Sequence, residues 1–178
     1  MGETWKVGVI GLGIMGRRML EHMGRHPAFE VVAAWDPSAE ACAAANVKAA
    51  IIFSAGFAEM SDDGRRRQDA LAAIARTTPM RIVGPNCLGV YNSATGFFGT
   101  FTSTIEAGRP TPGRVGLVSQ SGAYGSHLSL IATLRGIGIR FWVTTGNECD
   151  VDVAETIGWL ARHPDISVIV AYAEGVCD

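Results

Sequence analysis

Ser119, Ser121 and Gly122 stand in the stretch GRVGLVSQSGAYG (residues 113–125), where an apolar run passes through a Ser/Gly turn into helix-compatible residues. Backbone amides in the first turn of a helix have no intrahelical partner, and with hydroxyls beside them they form a cradle for an anion at the positive end of the helix dipole. The same serines can simply cap the helix. Spacing alone leaves both roles open. A second glycine turn, GLGIMG, places Gly11, Gly13 and Gly16 after an apolar run and at the head of a helical pattern. Glycines at this spacing let the backbone turn tightly and approach a pyrophosphate. Asp36 follows Gly16 by twenty residues and ends the next strand, where a carboxylate takes a pair of ribose hydroxyls. The combination points to a dinucleotide, against the alternative of a bare strand-to-helix turn.

Other groups fall at the ends of apolar runs. Ser54, Ala55 and Gly56 follow VKAAIIF, Asn86 and Cys87 follow RIVGP, and Glu174 follows VIVAYA. In α/β folds the carboxyl ends of the strands form the ligand side. Asn86 offers both a donor and an acceptor. Cys87 has no flanking His or Lys to lower its pKa, so a packing or lining role is expected rather than a nucleophile. Four acids crowd GNECDVDVAE (146–155), but the spacing fits no EF-type calcium loop, and Asp152 and Glu155 suit the first turn of a following helix. His22 and His26 are four apart, with no third ligand in sight. They are read as a solvated helix face, no metal is expected, and neither His127 nor His163 is given a catalytic role.

The elements that must hold these residues alternate. Strands are predicted at 6–10, 30–35, 47–53, 81–83, 115–119, 139–145 and 166–172, and helices near 14–25, 38–45, 62–77, 122–135 and 151–162. Each strand followed by a helix implies parallel sheets covered on both faces, an α/β fold. A Gly/Pro-containing polar stretch, 91–113, interrupts the rhythm and places the join between two units near residue 95. The units are therefore 1–95 and 96–178.

Composition narrows the class. The 178 residues are 48% hydrophobic and 18% charged with net charge −2, and no apolar run reaches membrane-spanning length. Without a basic face beyond Arg65–Arg67, neither a nucleic-acid nor a membrane partner is expected. Four scattered cysteines with no CxxC pair and no secretory leader fit reduced thiols in the cytoplasm.

Two resemblances attach to these motifs. Residues about 5–45, with GLGIMG and Asp36, resemble the opening Rossmann unit of nicotinamide-dependent oxidoreductases of the glucose-fructose oxidoreductase type. From residue 47 onward, VKAAIIFSAGFAE, RIVGPNCLGVYN, GRVGLVSQSGAYG, TTGNECDVDVAE and VIVAYAEGVCD resemble, in that order, the NDP-forming acyl-CoA synthetases and the succinyl-CoA synthetase α subunit. That family implies a Rossmann-like CoA-binding domain followed by a flavodoxin-like ligase domain, completed by an ATP-grasp module that handles ATP or ADP. It also implies a phosphohistidine that shuttles the phosphoryl group between sites. By this resemblance Ser119, Ser121 and Gly122 receive the phosphoryl group, and Glu174 orients the histidine. Ser54, Ala55, Gly56, Asn86 and Cys87 then border CoA. A homo-oligomer or an ATP-grasp subunit is the implied partner.

Two departures from the family pattern carry further expectations. None of the four histidines stands in the family's histidine motif, so the chain is expected to be inactive without that segment and the ATP-grasp module. Only ten residues, 37–46, join the second strand to the third predicted one, near the lower limit of roughly a dozen for a parallel crossover, where the family inserts another strand and helix. The first sheet is therefore expected to be one strand short, as in a fused or internally deleted chain. Asp36 also leaves the ligand of the first glycine turn open. NAD(P) is the alternative to CoA there, and the carboxylate itself suits the free ribose diol of NAD, because CoA carries a 3′-phosphate on its ribose that a carboxylate repels.

Overall fold

The computed structural model of the chain describes residues 5–10, 19, 21–35 and 49–175. The glycine turn with Gly11, Gly13 and Gly16, Asp36, and the 37–46 link lie outside these residues.

The first sheet is built from β1 (Trp5–Ile10), β2 (Phe29–Trp35), β3 (Ala49–Ile52) and β4 (Arg81–Val83) in the order β2-β1-β3-β4, every pair parallel. Among the described residues this is the doubly wound arrangement 3-2-1-4-5 without its third strand. Helix α1 (Asp62–Thr77) lies against β3 and β4 and buries Leu71 among Ala50, Ile52, Met80 and Ile82. Its start is written locally. Ser61 caps Gly64 N–H at 3.1 Å, and Asp62 and Asp63 sit at the positive end of the dipole. Gly64 is obligatory, because a Cβ there would stand 2.0 Å from the Phe57 carbonyl oxygen.

The second sheet has the order β6-β5-β8-β7-β9. Strands β7 (Val115–Ser119), β8 (Ile139–Thr144) and β9 (Val168–Tyr172) are parallel, whereas β5 (Gly89–Asn92) runs antiparallel to both β8 and β6 (Phe97–Thr100). The sheet is thus mixed rather than purely parallel. The chain also changes sheets between Val83 and Gly89, ahead of the join expected near residue 95, because the stretch read as a linker contains this hairpin. A 3-10 turn, Ser103–Glu106, follows it.

Successive side chains of β7 point to opposite faces, and each face receives a helix. Leu117 joins Tyr91, Ile139 and Trp142 under α2 (Gly122–Leu134), which contributes Leu128 and Ala132. Val118 joins Phe141 under α3 (Val153–Arg162), which contributes Val153, Ile157 and Leu160. Trp142 is fully buried, stacks on Tyr91 with ring centroids 5.3 Å apart, and donates from Nε1 to the Gly125 carbonyl at 2.9 Å. The Tyr91 hydroxyl and Ser129 Oγ complete this polar seam at 2.9 Å. At the edge, β9 leaves Val168 and Val170 exposed. Among the described residues no helix is long and apolar enough to cross a membrane.

Replacing Trp142 with Ala removes the stacked ring and its hydrogen bond, and is expected to cost about 3–5 kcal/mol in urea unfolding. Ser129→Ala, which leaves the buried Tyr91 hydroxyl unpaired, is expected to cost about 1–3 kcal/mol.

Candidate functional site

The two sheets meet through backbone. Val151, Cys149 and Asn147 N–H groups donate to the carbonyls of Ile82, Gly84 and Pro85 at 3.0, 3.0 and 2.9 Å, so the loop after β8 is laced onto β4 and the loop after it. The approach is close enough that a Cβ on Gly146, whose φ is +61°, would fall 2.3 Å from the Pro85 carbonyl oxygen. Side chains reinforce the seam. Arg81 binds Asp150 through Nε at 3.0 Å and Glu155 through Nη2 at 2.6 Å, and Glu155 and Asp150 together raise the arginine pKa further above its ordinary value. Asn147 Nδ2 donates to Gln68 Oε1 at 3.0 Å and also to Glu59. Partial burial opposes ionisation of Glu59, but donors from Asn147, Gly56 and Phe57 outweigh it and hold the carboxyl below its usual range.

A cleft of about 360 Å³ opens beside this seam, lined by Asn86, Cys87, Gln120, Ser121, Asn147 and Glu174 among others. Ser121 is the N-cap of α2, and its Oγ accepts from Tyr124 N–H at 3.3 Å. The amides of Gly122 and Ala123, which also line the cleft, have no protein acceptor among the described residues. Capping and an open first turn therefore coexist, since one serine oxygen satisfies one amide and leaves two for a ligand. Gly122 permits the geometry: a Cβ there would meet Leu88 Cγ at 2.6 Å.

Ser119 departs from the expectation. It is wholly buried, and its hydroxyl donates to the Ser121 carbonyl at 2.6 Å, so it braces the turn from behind and offers no proton to the cleft. The groups left open at this turn are the two amides and the Ser121 hydroxyl. Glu174 is exposed at the cleft, held there by Gln120. Gln120 Oε1 accepts from the N–H groups of Glu174 and Gly175, while its Nε2 donates to Glu148 Oε2 at 2.7 Å and to the Gly175 carbonyl at 2.8 Å. Sequence reading passed over Gln120 and Asn147, although each stands inside a motif it quoted. An amide side chain has no periodicity or charge to mark it.

Asn86, at φ 59°, follows a cis Gly84–Pro85 bond; its N–H donates to the Ser54 carbonyl at 3.0 Å and its Nδ2 to Asn147 Oδ1 at 3.2 Å. Cys87 is 2% exposed, its Sγ donates to the Ile52 carbonyl at 3.3 Å, and burial pushes its thiol up to about 12. The thiol is protonated at neutral pH. Ser54, Ala55 and Gly56 form the neighbouring loop after β3 and are not among the cleft-lining residues; the Gly56 and Phe57 amides are already taken by Glu59 Oε1 at 2.7 and 3.2 Å.

The acids of the 146–155 loop each have protein donors. Glu148 accepts from Thr145, Val153 and Gln120, Asp150 from Arg81 and Ile82, Asp152 caps Glu155, and Glu155 binds Arg81. His163 packs edge-on against Phe141, with centroids 4.7 Å apart.

Residues 112–178 match the succinyl-CoA ligase-like flavodoxin domain, and residues 6–72 match the NAD binding domain of 6-phosphogluconate dehydrogenase. The chain is 38% identical over 144 residues to 4-hydroxybutyrate-CoA ligase (ADP-forming) of Nitrosopumilus maritimus, covering 80% of this chain and 20% of that protein. It is 34% identical over 137 residues to the α subunit of acetate-CoA ligase (ADP-forming) II of Pyrococcus furiosus, covering 77% of this chain and 29% of that one. In three dimensions it is similar to PH0766 from Pyrococcus horikoshii, with a TM-score of 0.81 at 26% identity over 97% of this chain and 47% of the other. It shares the fold of a Ca. Korarchaeum cryptofilum dinucleotide forming acetyl-coenzyme A synthetase 1 in complex with phosphate and ADP, with a TM-score of 0.79 at 22% identity over 98% of this chain and 45% of the other. The chain thus spans 20% to 29% of the length of these two curated relatives. Behind a Rossmann start of the nicotinamide-dehydrogenase kind, residues from about 47 to 178 belong to the NDP-forming acyl-CoA synthetase and succinyl-CoA synthetase α-subunit family.

Proposed function

We propose that this chain is the CoA-binding and phosphohistidine-docking portion of an NDP-forming acyl-CoA synthetase. The observation that carries the reading is the cleft in which the unpartnered Gly122 and Ala123 amides and the Ser121 hydroxyl stand with Glu174. A phosphoryl group on an incoming histidine would accept from the two amides and the hydroxyl, at the positive end of α2. Glu174 would accept the opposite N–H of that imidazole and fix its orientation, and Gln120 would act as its positioning residue. Neither Lys nor Arg is among the described lining residues, so the phosphoryl charge would be met by dipoles alone. Such a site holds the group without a permanent counter-ion to trap it.

In the complete enzyme the phosphoryl group would pass to or from an acyl carboxylate. One P–O bond forms as the P–N bond to histidine breaks, and CoA thiol displaces phosphate from the resulting acyl phosphate. ATP or ADP would enter only through an ATP-grasp subunit or domain. Asn86 and the 54–56 loop would border CoA, and Cys87 would line its thioester end as a neutral wall. The unpaired Cys87 and Cys149 fit the reducing cytoplasm, and the exposed Val168 and Val170 offer a face for self-association or for the ATP-grasp partner.

A second reading is favoured by the match of residues 6–72 to a dehydrogenase NAD binding domain, in which Gly11, Gly13, Gly16 and Asp36 hold NAD(P). Calorimetric titration of the chain with CoA and with NADH separates the two. Heat from CoA alone supports the ligase portion, and heat from NADH alone supports the nucleotide module.

Gly122→Ala is expected to drive a methyl into Leu88 and weaken binding of a phosphohistidine peptide about tenfold, or ~1.4 kcal/mol, by NMR titration. Glu174→Gln is expected to weaken the phosphohistidine peptide by a similar factor while leaving inorganic phosphate within about twofold. Equal loss for both ligands would remove Glu174 from its orienting role.

A further inference from the structure

Beside the cleft runs a series of amide side chains whose direction one carboxylate decides. Glu59, just ahead of α1, accepts from the Gly56 and Phe57 N–H groups through Oε1 at 2.7 and 3.2 Å, and from Asn147 Nδ2 through Oε2. Asn147 gives its other amide proton to Gln68 Oε1 at 3.0 Å, and its Oδ1 accepts from Asn86 Nδ2 at 3.2 Å. Gln68 supports the same direction, since its Oε1 also accepts from Ala58 N–H at 3.4 Å and its Nε2 donates to the Asn147 carbonyl at 3.2 Å. Asn86 ends the series. It is exposed and lines the cleft, and its Oδ1 has no protein donor among the described residues.

An amide side chain can exchange its oxygen and nitrogen ends with little change of shape, so its hydrogen-bond partners decide which way it points. An ionised carboxylate only accepts. Glu59 therefore requires the nitrogen of Asn147, which leaves the Asn147 oxygen for Asn86, draws the Asn86 nitrogen inward and turns the Asn86 oxygen to the open side. Partial burial opposes ionisation of Glu59, but the donors from Asn147, Gly56 and Phe57 outweigh it and keep the group in this acceptor-only form at neutral pH. The charge stays behind the wall, and what reaches the cleft is a neutral acceptor. In an acyl-CoA the sulfur has no proton to offer, and the donor nearest to it is the N–H of the adjoining pantetheine amide.

We propose that Glu59 is a positioning residue for CoA: through Asn147 it turns the Asn86 oxygen into the cleft, where that oxygen accepts the N–H of the pantetheine amide nearest the sulfur. This rests on the CoA-binding reading above and adds the contact that recognises the arm. The test is calorimetric titration of the chain with CoA and with a CoA analogue in which that amide is an ester. The unaltered chain is expected to bind the ester about tenfold more weakly, the loss of one hydrogen bond to a committed acceptor. Glu59→Gln keeps an oxygen for Gly56 and Phe57 but sets an NH2 group against Asn147, which reverses the series and turns the Asn86 nitrogen to the cleft. It is expected to weaken CoA about tenfold while leaving the ester analogue, and a phosphohistidine peptide followed by NMR, within about twofold. Adding Asn147→Asp puts an acceptor-only group between the new amide and Asn86, and is expected to return CoA to within about threefold of the unaltered chain. A carboxylate that merely held the 54–57 loop would give no such rescue. Equal affinity of the unaltered chain for CoA and the ester, equal loss of both in Glu59→Gln, or no rescue in the double variant overturns the inference while CoA binding stands. Absence of heat from CoA with the unaltered chain overturns the functional reading and this inference together.

Discussion

The structure turns on three backbone hydrogen bonds between the loop after β8 and β4 with the loop that follows it. Their lengths, 2.9 to 3.0 Å, hold the two sheets together backbone to backbone. Everything at the cleft inherits its position from that seam. Asn147 and Gly146 belong to one loop, Pro85, Asn86 and Cys87 to the other, and α2 starts against Leu88 of the second. The seam tolerates almost no added volume, as Gly146 and Gly122 show, so the close approach is encoded by missing side chains rather than by attractive ones. Ion pairs such as Arg81 with Asp150 and Glu155 lie nearer solvent and contribute less to its energy than to its alignment.

The same economy governs charge. Acids are plentiful around the site, but most are bound to protein donors that hold loops in place. What faces the cleft is a helix start, a hydroxyl, amide side chains and one exposed carboxylate. A helix dipole supplies about half a unit of positive charge.

Much of this was legible in the residues. Helix α1 runs over the predicted 62–77, because Ser61, the acids after it and the apolar spacing all agree. Strands read from apolar runs, such as β8 and β9, appear with one end moved by a residue or two. The β5–β6 hairpin was missed because GVYN and FFGT are only four residues long and β5 gains its second partner in β8, which lies far away in sequence. Motif reading singled out Ser119, Ser121 and Gly122 but could not show that the Ser119 hydroxyl turns back to the Ser121 carbonyl, since the direction of a hydroxyl depends on which face of β7 is buried. It overlooked Gln120 and Asn147 for a related reason: their roles exist only once distant loops have been brought together.

The state of Cys87 has a consequence for any thioester resting in the cleft. A thiolate there would exchange with an acyl thioester and capture the acyl group on the protein, since exchange proceeds through the ionised sulfur. Burial under the β3 carbonyl keeps this sulfur in its unreactive form at neutral pH. Under the proposed function, the wall would be soft and closely fitted without competing for a thioester beside it.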